Sequence, residues 1–311
     1  MNVRLINERN EDLMTVNAAR VSYNKRKEEL DEKDEKLLNY LIKHKHSSPF
    51  YHSEVVKALH TSYMTMYRHM RDPWIEAVQP DPKTNDFLVK TSRWGWYTVI
   101  KRLEKLNPTP QDLISTIQNE DNNVCIDDGH PHANLLASIS LLMEDVPIPI
   151  REQLLKHRMG LGAYFYEEYE LARNEISRRY TSEGVTFFEP DVWYAGENDN
   201  NKQAEAGEHT HPRLMAGLYR EAISKGKNKY DVLINAGLTK QQARFVLPQA
   251  MNSSWYWTGS PDAFARIVAL RLHNTTGKAQ NEASQLAQQI NDVIEPAYPQ
   301  TWKQCLEGYG V

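Results

Sequence analysis

The chain has 311 residues, of which 40% are hydrophobic and 25% charged, and a formal net charge of −4. That is enough apolar material for one large core or two smaller ones, and the mildly acidic balance supplies no global positive field for a polyanion, so nucleic acid is not an expected partner. No window approaches the roughly 20 apolar residues of a membrane span, MNVRLINERNEDL lacks the apolar core of a signal peptide, and Cys125 and Cys305 show neither CxxC nor C-x-H spacing. The expectation is a cytoplasmic globular protein with no membrane partner and no disulfide framework.

In chain order, residues 12–23 carry apolar and small residues and end in AARVSY. KRKEELDEKDEK (25–36) is charged densely enough to be expected in solvent. LLNYLIKH then places Leu37, Leu38, Leu41 and Ile42 on one helical face, and HSSPF breaks that helix, because the residue before Pro49 avoids the α region. His46, Ser47 and Ser48 sit on the break. From 61 to 145, loop-like PDPKTND, NPTPQD and EDNNVCIDDGHPH alternate with WYTVIKRLEKL and ANLLASISLLM, which predicts an inserted, helix-rich accessory segment within a single domain of residues 1–311. The aromatic run SRWGWY (92–97) belongs to a core or an interface rather than to a ligand platform. GENDNNKQAEAGEHTHP (196–212) reads as a mobile surface loop. Beyond it RLMAGLYREAISKG, QQARFVLPQAM, DAFARIVALRL and ASQLAQQINDVIEPAY carry helical periodicity. No repeat of fixed period is visible.

Three sets of residues bear on chemistry. The H-x-H pairs at 44/46, 130/132 and 209/211 could put two imidazoles on one side of a strand, but no HExxH or acidic cluster accompanies them, so no metal is expected. Cys125 lies in an acidic run and Cys305 beside Lys303 in a predicted helix, and neither setting favours a thiolate nucleophile. LARNEISRRYTSEG (171–184) packs Arg173, Arg178 and Arg179 around Asn174, Glu175 and Ser177, while Arg244 and Arg271 each stand inside an apolar helical stripe. An arginine there needs a carboxylate partner, such as Glu175, or an anionic ligand, and both readings stand on the residues alone. Guanidinium groups suit phosphate oxygens through paired N–H donors.

These runs resemble the flavin-dependent thymidylate synthases. KHR (156–158) followed by NEISRRY (174–180) looks like that family's R-H-R signature and its N-E-x-S-x-R-Y run. AARVSY (18–23), KHKHSSPFYH (43–52), VPIPIREQLLKHR (146–158), ARFVLPQAMNSSWYWTGS (243–260) and the helix ending in LRL (270–272) follow in the family's order. The resemblance spans about residues 12–60 and 146–300.

It implies an α+β fold, helix-rich around a central antiparallel or mixed sheet, assembled as a homotetramer with active sites shared between subunits. The implied reaction is the reductive methylation of dUMP to dTMP, with methylenetetrahydrofolate and NADPH as co-substrates, FAD as cofactor and no cysteine nucleophile. By motif position, Arg271 is the cation that stabilises charge developing on the pyrimidine near N3 and O4. Gln153, Glu175, Ser177, Arg178, Arg179 and, from a neighbouring subunit, Arg244 contact the nucleotide. Ser48, Lys156, His157 and Arg158 hold FAD, with Ser22 and His46 nearby and Glu175 touching both ligands.

Several positions depart from the pattern. Lys156 replaces the first arginine of R-H-R. Eighteen residues rather than seven separate Arg158 from Ser177, an extension over 159–173 that contains Gly160, Gly162, Tyr164, Phe165, Tyr166 and Tyr169. Where the family has Asn-x-Arg, this chain has Ser260, Pro261 and Asp262, and Arg266 one turn later is expected to restore the positive charge. Such departures leave two alternatives open: hydroxymethylation or methylation of dUMP or dCMP on the same scaffold, and a non-catalytic nucleotide-binding subunit.

Overall fold

The computed structural model describes residues 1–6, 10–63, 75, 77–157, 173–196, 205–273 and 279–311. Its strands are β1 Asn2–Leu5, β2 Glu54–His60, β3 Ala77–Pro80, β4 Asp86–Ser92, β5 Ile139–Pro147, β6 Arg173–Glu175, β7 Tyr194–Gly196, β8 Glu205–Glu208 and β9 Asn252–Gly259. The α-helices are α1 Glu11–Arg20, α2 Glu32–Lys43, α3 Arg93–Leu103, α4 Gln111–Gln118, α5 Ala133–Leu136, α6 Ile148–Leu154, α7 Pro212–Asn235, α8 Lys240–Ala243, α9 Pro261–Arg271, α10 Asn281–Ile294 and α11 Pro299–Gly308. The architecture is α+β. Among the described residues no helix is long and apolar enough to cross a membrane.

The central sheet has the order β1-β5-β9-β6, and each neighbouring pair is antiparallel. Strand periodicity divides its side chains between two faces. Trp255 and Trp257 of β9, with Leu141 and Met143 of β5, point into the main core against Ile150 and Leu154 of α6, Phe264 and Ile267 of α9, and Leu286, Ile290 and Ile294 of α10. The last three recur every fourth residue and are fully buried, each stabilising the fold by about 2 kcal/mol. Tyr256 and Leu142 face the other way and pack with Met14 and Val21. At β6, Asn174 stands opposite Tyr256 and Glu175 opposite Trp255. Neighbouring residues of one motif are thereby sent to opposite faces of the sheet.

The 61–145 stretch contains strand as well as helix. β2, β4 and β3 form a second antiparallel sheet, whose Val55, Leu59 and Val89 pack under Trp96, Val99 and Leu103 of α3 and Leu113, Ile114 and Ile117 of α4. The boundary at 145 falls inside β5, a strand of the central sheet, so the segment is built into the molecule rather than appended as a helical insertion. Lys90 Nζ lies 2.6 Å from a Glu54 carboxylate oxygen and donates to Ala137 O at 3.0 Å, joining the second sheet to the chain that leads into β5. Asp128 accepts the backbone N–H groups of Gln300 and Thr301 at the start of α11. In SRWGWY, Trp96 is buried with its indole N–H on Val55 O at 3.1 Å. Gly95 sits so close to Thr91 that a Cβ there would lie 1.9 Å from its Oγ1, which makes this run a packing element.

Two surface expectations change. Within KRKEELDEKDEK, Asp34 is fully buried, held by Arg20 at 2.5 Å and Lys27 at 2.8 Å, because α2 needs a capping box between Asp31 and Asp34 and docks that end on α1. Of the predicted apolar face, Leu41 is buried while Ile42 is exposed. The 196–212 stretch includes β8, paired antiparallel with β7, and residues 197–204 between them lie outside the described residues. Further on, the helix predicted at 213–226 extends to Asn235, whereas QQARFVLPQAM forms only α8 and a 3-10 turn, Arg244–Val246, before Pro248 ends it.

Candidate active site

Glu175 ends β6 at the edge of the central sheet. Its Oε1 accepts from Arg151 Nη1 at 2.5 Å and from Ser253 Oγ of β9, and its Oε2 lies 3.9 Å from Arg173 Nη1. Ser22, which follows α1, donates its hydroxyl to the Glu175 carbonyl at 3.2 Å, and its own carbonyl accepts the Ser177 N–H at 3.1 Å. AARVSY and NEISRRY are therefore stitched together across about half the chain. Arg151 is the residue that motif reasoning missed. It was discoverable by the argument applied to Arg271, since Ile148, Pro149, Ile150 and Leu154 surround it in an apolar run.

A second group forms where α6 ends against α9 and α10. Arg271, the last residue of α9, donates from Nε to His157 Nε2 at 3.2 Å, and its carbonyl accepts from Ser284 Oγ at 2.8 Å. Burial, the nearby Arg271 and then Arg266 hold the His157 imidazole down at about 4. The ring is neutral near pH 7, so it can accept from the guanidinium. Burial also lowers the Arg271 pKa. Among the described residues neither Arg271 nor Arg244 has a carboxylate partner within salt-bridge distance, and the carboxylate proposed for them, Glu175, is taken by Arg151. Gln153, four residues before His157, donates to Gln280 Oε1 at 2.6 Å. Lys156 is exposed in the turn after α6.

Ser260, Pro261 and Asp262 have a local reason. They start α9, with Ser260 Oγ accepting the Ala263 N–H at 3.3 Å, proline in the first turn, and an acidic residue favoured there by the helix dipole. Asp262 accepts from the Tyr309 hydroxyl at 2.9 Å. Arg266, one turn on, lines a cleft with Leu270 and His273 beside the C-terminal Tyr309.

The arginines of the 171–184 run part company. Arg178 is buried, and its terminal nitrogens donate to the carbonyls of Glu183 at 2.7 Å and Gly184 at 3.0 Å. Arg179 is exposed, lies over the Tyr180 ring at 5.2 Å and donates to Ser177 Oγ at 3.4 Å. Tyr180 stacks on Tyr23 at 5.2 Å. Lys240 of α8 donates to Tyr180 O at 3.1 Å, so the 3-10 turn that carries Arg244 follows an element already docked on the motif.

Ser48 opens the 3-10 turn Ser48–His52 and accepts from Asn174 Nδ2 at 3.4 Å. His46 is exposed and stacks with Tyr40 at 6.0 Å. Arg158 and the aromatic residues Tyr164, Phe165, Tyr166 and Tyr169 lie outside the described residues. In the pairs 130/132 and 209/211 the first imidazole accepts the backbone N–H of the second histidine, at 3.1 and 3.0 Å, which gives each pair a turn-forming role. Cys305 is buried, and burial followed by nearby Asp262 pushes its thiol up to about 12, far from thiolate chemistry.

The chain is similar over most of its length to a known family. The model of the family described as thymidylate synthase complementing protein matches residues 4–76 and 91–300, which includes most of the 61–145 stretch. The flavin-dependent thymidylate synthase of Aquifex aeolicus is 24% identical over 321 residues, covering 91% of this chain and 94% of that protein. The enzyme of the same description from Thermus thermophilus is 28% identical over 156 residues, covering 50% of this chain and 52% of that one. The crystal structure of a UMP/dUMP methylase, PolB from Streptomyces cacaoi bound with 5-Br UMP, shares the fold, with a TM-score of 0.50, 19% identity, and coverage of 99% of this chain and 94% of that one. With its signature runs joined in one structure and a family match over most of its length, the chain belongs to the thymidylate synthase complementing protein family, the flavin-dependent thymidylate synthases, and is an enzyme of one-carbon transfer.

Proposed function

We propose that the chain methylates dUMP to dTMP, taking the carbon from methylenetetrahydrofolate and the reducing equivalents from NADPH through FAD. The C5–H bond of the uracil breaks and its proton is released, the methylene forms a bond to C5 as its bonds to the folate nitrogens break, and it takes up the hydride that NADPH loses, so that with one further proton the products are dTMP, tetrahydrofolate and NADP+. FAD supplies the hydride relay when bound. The rest of the reaction asks the protein to hold the nucleotide and to stabilise charge on its base.

The observation that carries this reading is Arg271, a half-buried guanidinium whose described partner is a neutral imidazole and not a carboxylate. A cation placed that way favours an anion in its pocket, or an anion that develops there during reaction. A guanidinium only donates hydrogen bonds. It therefore complements O4 and a deprotonating N3 of uracil, whereas the 4-amino group of cytosine would set donor against donor.

Gln153 stands beside this group, and Glu175, Ser177 and Arg179 supply the remaining nucleotide contacts, with Arg244 contributed by a neighbouring subunit of a homotetramer. Arg178, tied to two carbonyls, acts by holding the turn behind them. Arg266 carries positive charge and the neutral His157 keeps one N–H donor, which suit the diphosphate of FAD, Asp262 is turned onto Tyr309, and Ser48, Lys156, Arg158, Ser22 and His46 complete the flavin-facing set. The site is taken to work in the cytoplasm.

The test is the mass of the nucleotide after incubation of the purified chain with FAD, NADPH, methylenetetrahydrofolate and dUMP or dCMP. Methylated dUMP is the expected product. A hydroxymethylated nucleotide, or turnover of dCMP alone, overturns the assignment.

A further inference from the structure

His52 has no part in the reading above, yet it is buried at the junction of three elements. Its Nδ1 lies 2.8 Å from Thr258 Oγ1 on β9 and its Nε2 lies 3.3 Å from Asn174 Oδ1 on β6. Thr258 Oγ1 is in turn 2.7 Å from Ser140 Oγ on β5, and Asn174 Nδ2 donates to Ser48 Oγ at 3.4 Å. Thr258, Asn174 and Ser140 all sit on the sheet face opposite the tryptophan core.

Hydrogen-bond chemistry gives this chain one direction. An amide oxygen only accepts, so the proton of the buried imidazole is on Nε2. A neutral ring then accepts at Nδ1, so Thr258 donates to His52 and Ser140 donates to Thr258. Burial supports the neutral form, holding the His52 ring at about 4. At the other end, Asn174 presents its amino group to Ser48, which must accept. Among the described residues the Ser48 hydroxyl hydrogen has no acceptor, which leaves it for a bound ligand.

We propose that His52 is a positioning residue: through Asn174 it keeps the Ser48 hydroxyl hydrogen turned outward, as the donor to an acceptor atom of the bound flavin. Without His52, no other described residue holds the oxygen of the Asn174 amide. Its oxygen can then swing toward Ser48 and draw the hydrogen inward. The inference rests on the flavin reading of Ser48, and neither His52 nor Asn174 touches the ligand in it.

The experiment titrates FAD into the flavin-free full chain and follows quenching of flavin fluorescence, for the wild type, Ser48→Ala, His52→Leu, His52→Gln and the double variant Ser48→Ala/His52→Leu, each checked for cooperative thermal melting. Leucine and glutamine both fill the buried site, and glutamine keeps an N–H donor toward Asn174. Loss of one ligand hydrogen bond weakens binding by about tenfold. Ser48→Ala and His52→Leu are each expected to show that loss, His52→Gln is expected within about threefold of wild type, and the double variant is expected no weaker than Ser48→Ala within error, because both act on one bond. Wild-type affinity in His52→Leu overturns the proposal, as does a double variant about a hundredfold weaker than wild type, which would mark two independent effects. Failure of the wild type itself to bind FAD is a different result, since it removes the flavin reading and this inference with it.

Discussion

Arg178 and Arg271 both stand in sequence runs that carry the family signature, but their surroundings assign them opposite work. Arg178 satisfies two carbonyls of its own loop, whereas Arg271 keeps most of its donors clear of carboxylates among the described residues. Replacing Arg271 by Ala is expected to lower kcat for dUMP methylation by about 10²–10³, the usual loss when a preorganised donor to developing charge is removed, with little change in melting temperature. Lysine should recover little, since it lacks the planar fork. Replacing Arg178 by Ala should do the reverse, lowering stability by about 2 kcal/mol through two stranded carbonyls. Steady-state kinetics and thermal melts on the two variants check the contrast, and equal kinetic losses would place Arg178 on the substrate.

At the level of elements, α2 shows how a charged sequence can still make a core contact. Its N-terminus is fixed by Asp31 and Asp34, and Asp34 is shut in beneath Arg20 and Lys27. Burial raises the Asp34 carboxyl pKa, but hydrogen bonds from Lys27, from the Asp31 backbone and from Arg20 outweigh it and hold the group well below the usual carboxylate range. Asp34→Asn is expected to cost about 3 kcal/mol, as when one member of a buried ion pair is removed. For a chain this long that corresponds to a melting point lower by about 5 °C. Because the folded pKa is depressed, the stabilisation is complete above the ordinary carboxylate value near ~4 and is lost as pH falls through the folded one. The gap between variant and wild type should close in strong acid.

The whole molecule carries a related pH signature of opposite chemistry. His52 is held at about 4, chiefly by burial, while the unfolded chain protonates its histidines near ~6.5. Between those values the unfolded state binds the extra proton, so stability rises with pH and is lost as pH falls from about 6.5 toward 4. At pH 5 the loss through His52 is about 2 kcal/mol. Urea midpoints at pH 7.5 and pH 5.0 measure the sum of this loss and a similar one from His157, which is also held at about 4, and His52→Gln should remove about half of their difference. The effect is global because His52 ties the Ser48–His52 turn to β6 and β9, which also carry the candidate site.

What the sequence determined by itself was the membership and the parts. Ordered runs such as AARVSY, NEISRRY and the helix ending in LRL named the family, its one-carbon transfer class and the α+β fold, because a family signature preserves the residue types that the chemistry requires. Strongly periodic helices such as α10 were legible for a simpler reason, since one apolar face every three to four residues has few other ways to be buried. Only the tertiary structure decided which charge met which. It gave Glu175 to Arg151, buried Asp34, turned Asp262 onto Tyr309, placed β3 and β4 within a stretch read as helix-rich, and set Asn174 and Glu175 on opposite faces of one strand. Those outcomes depend on strand register and on helix ends meeting across long stretches of chain, and no local pattern specifies a partner at that separation.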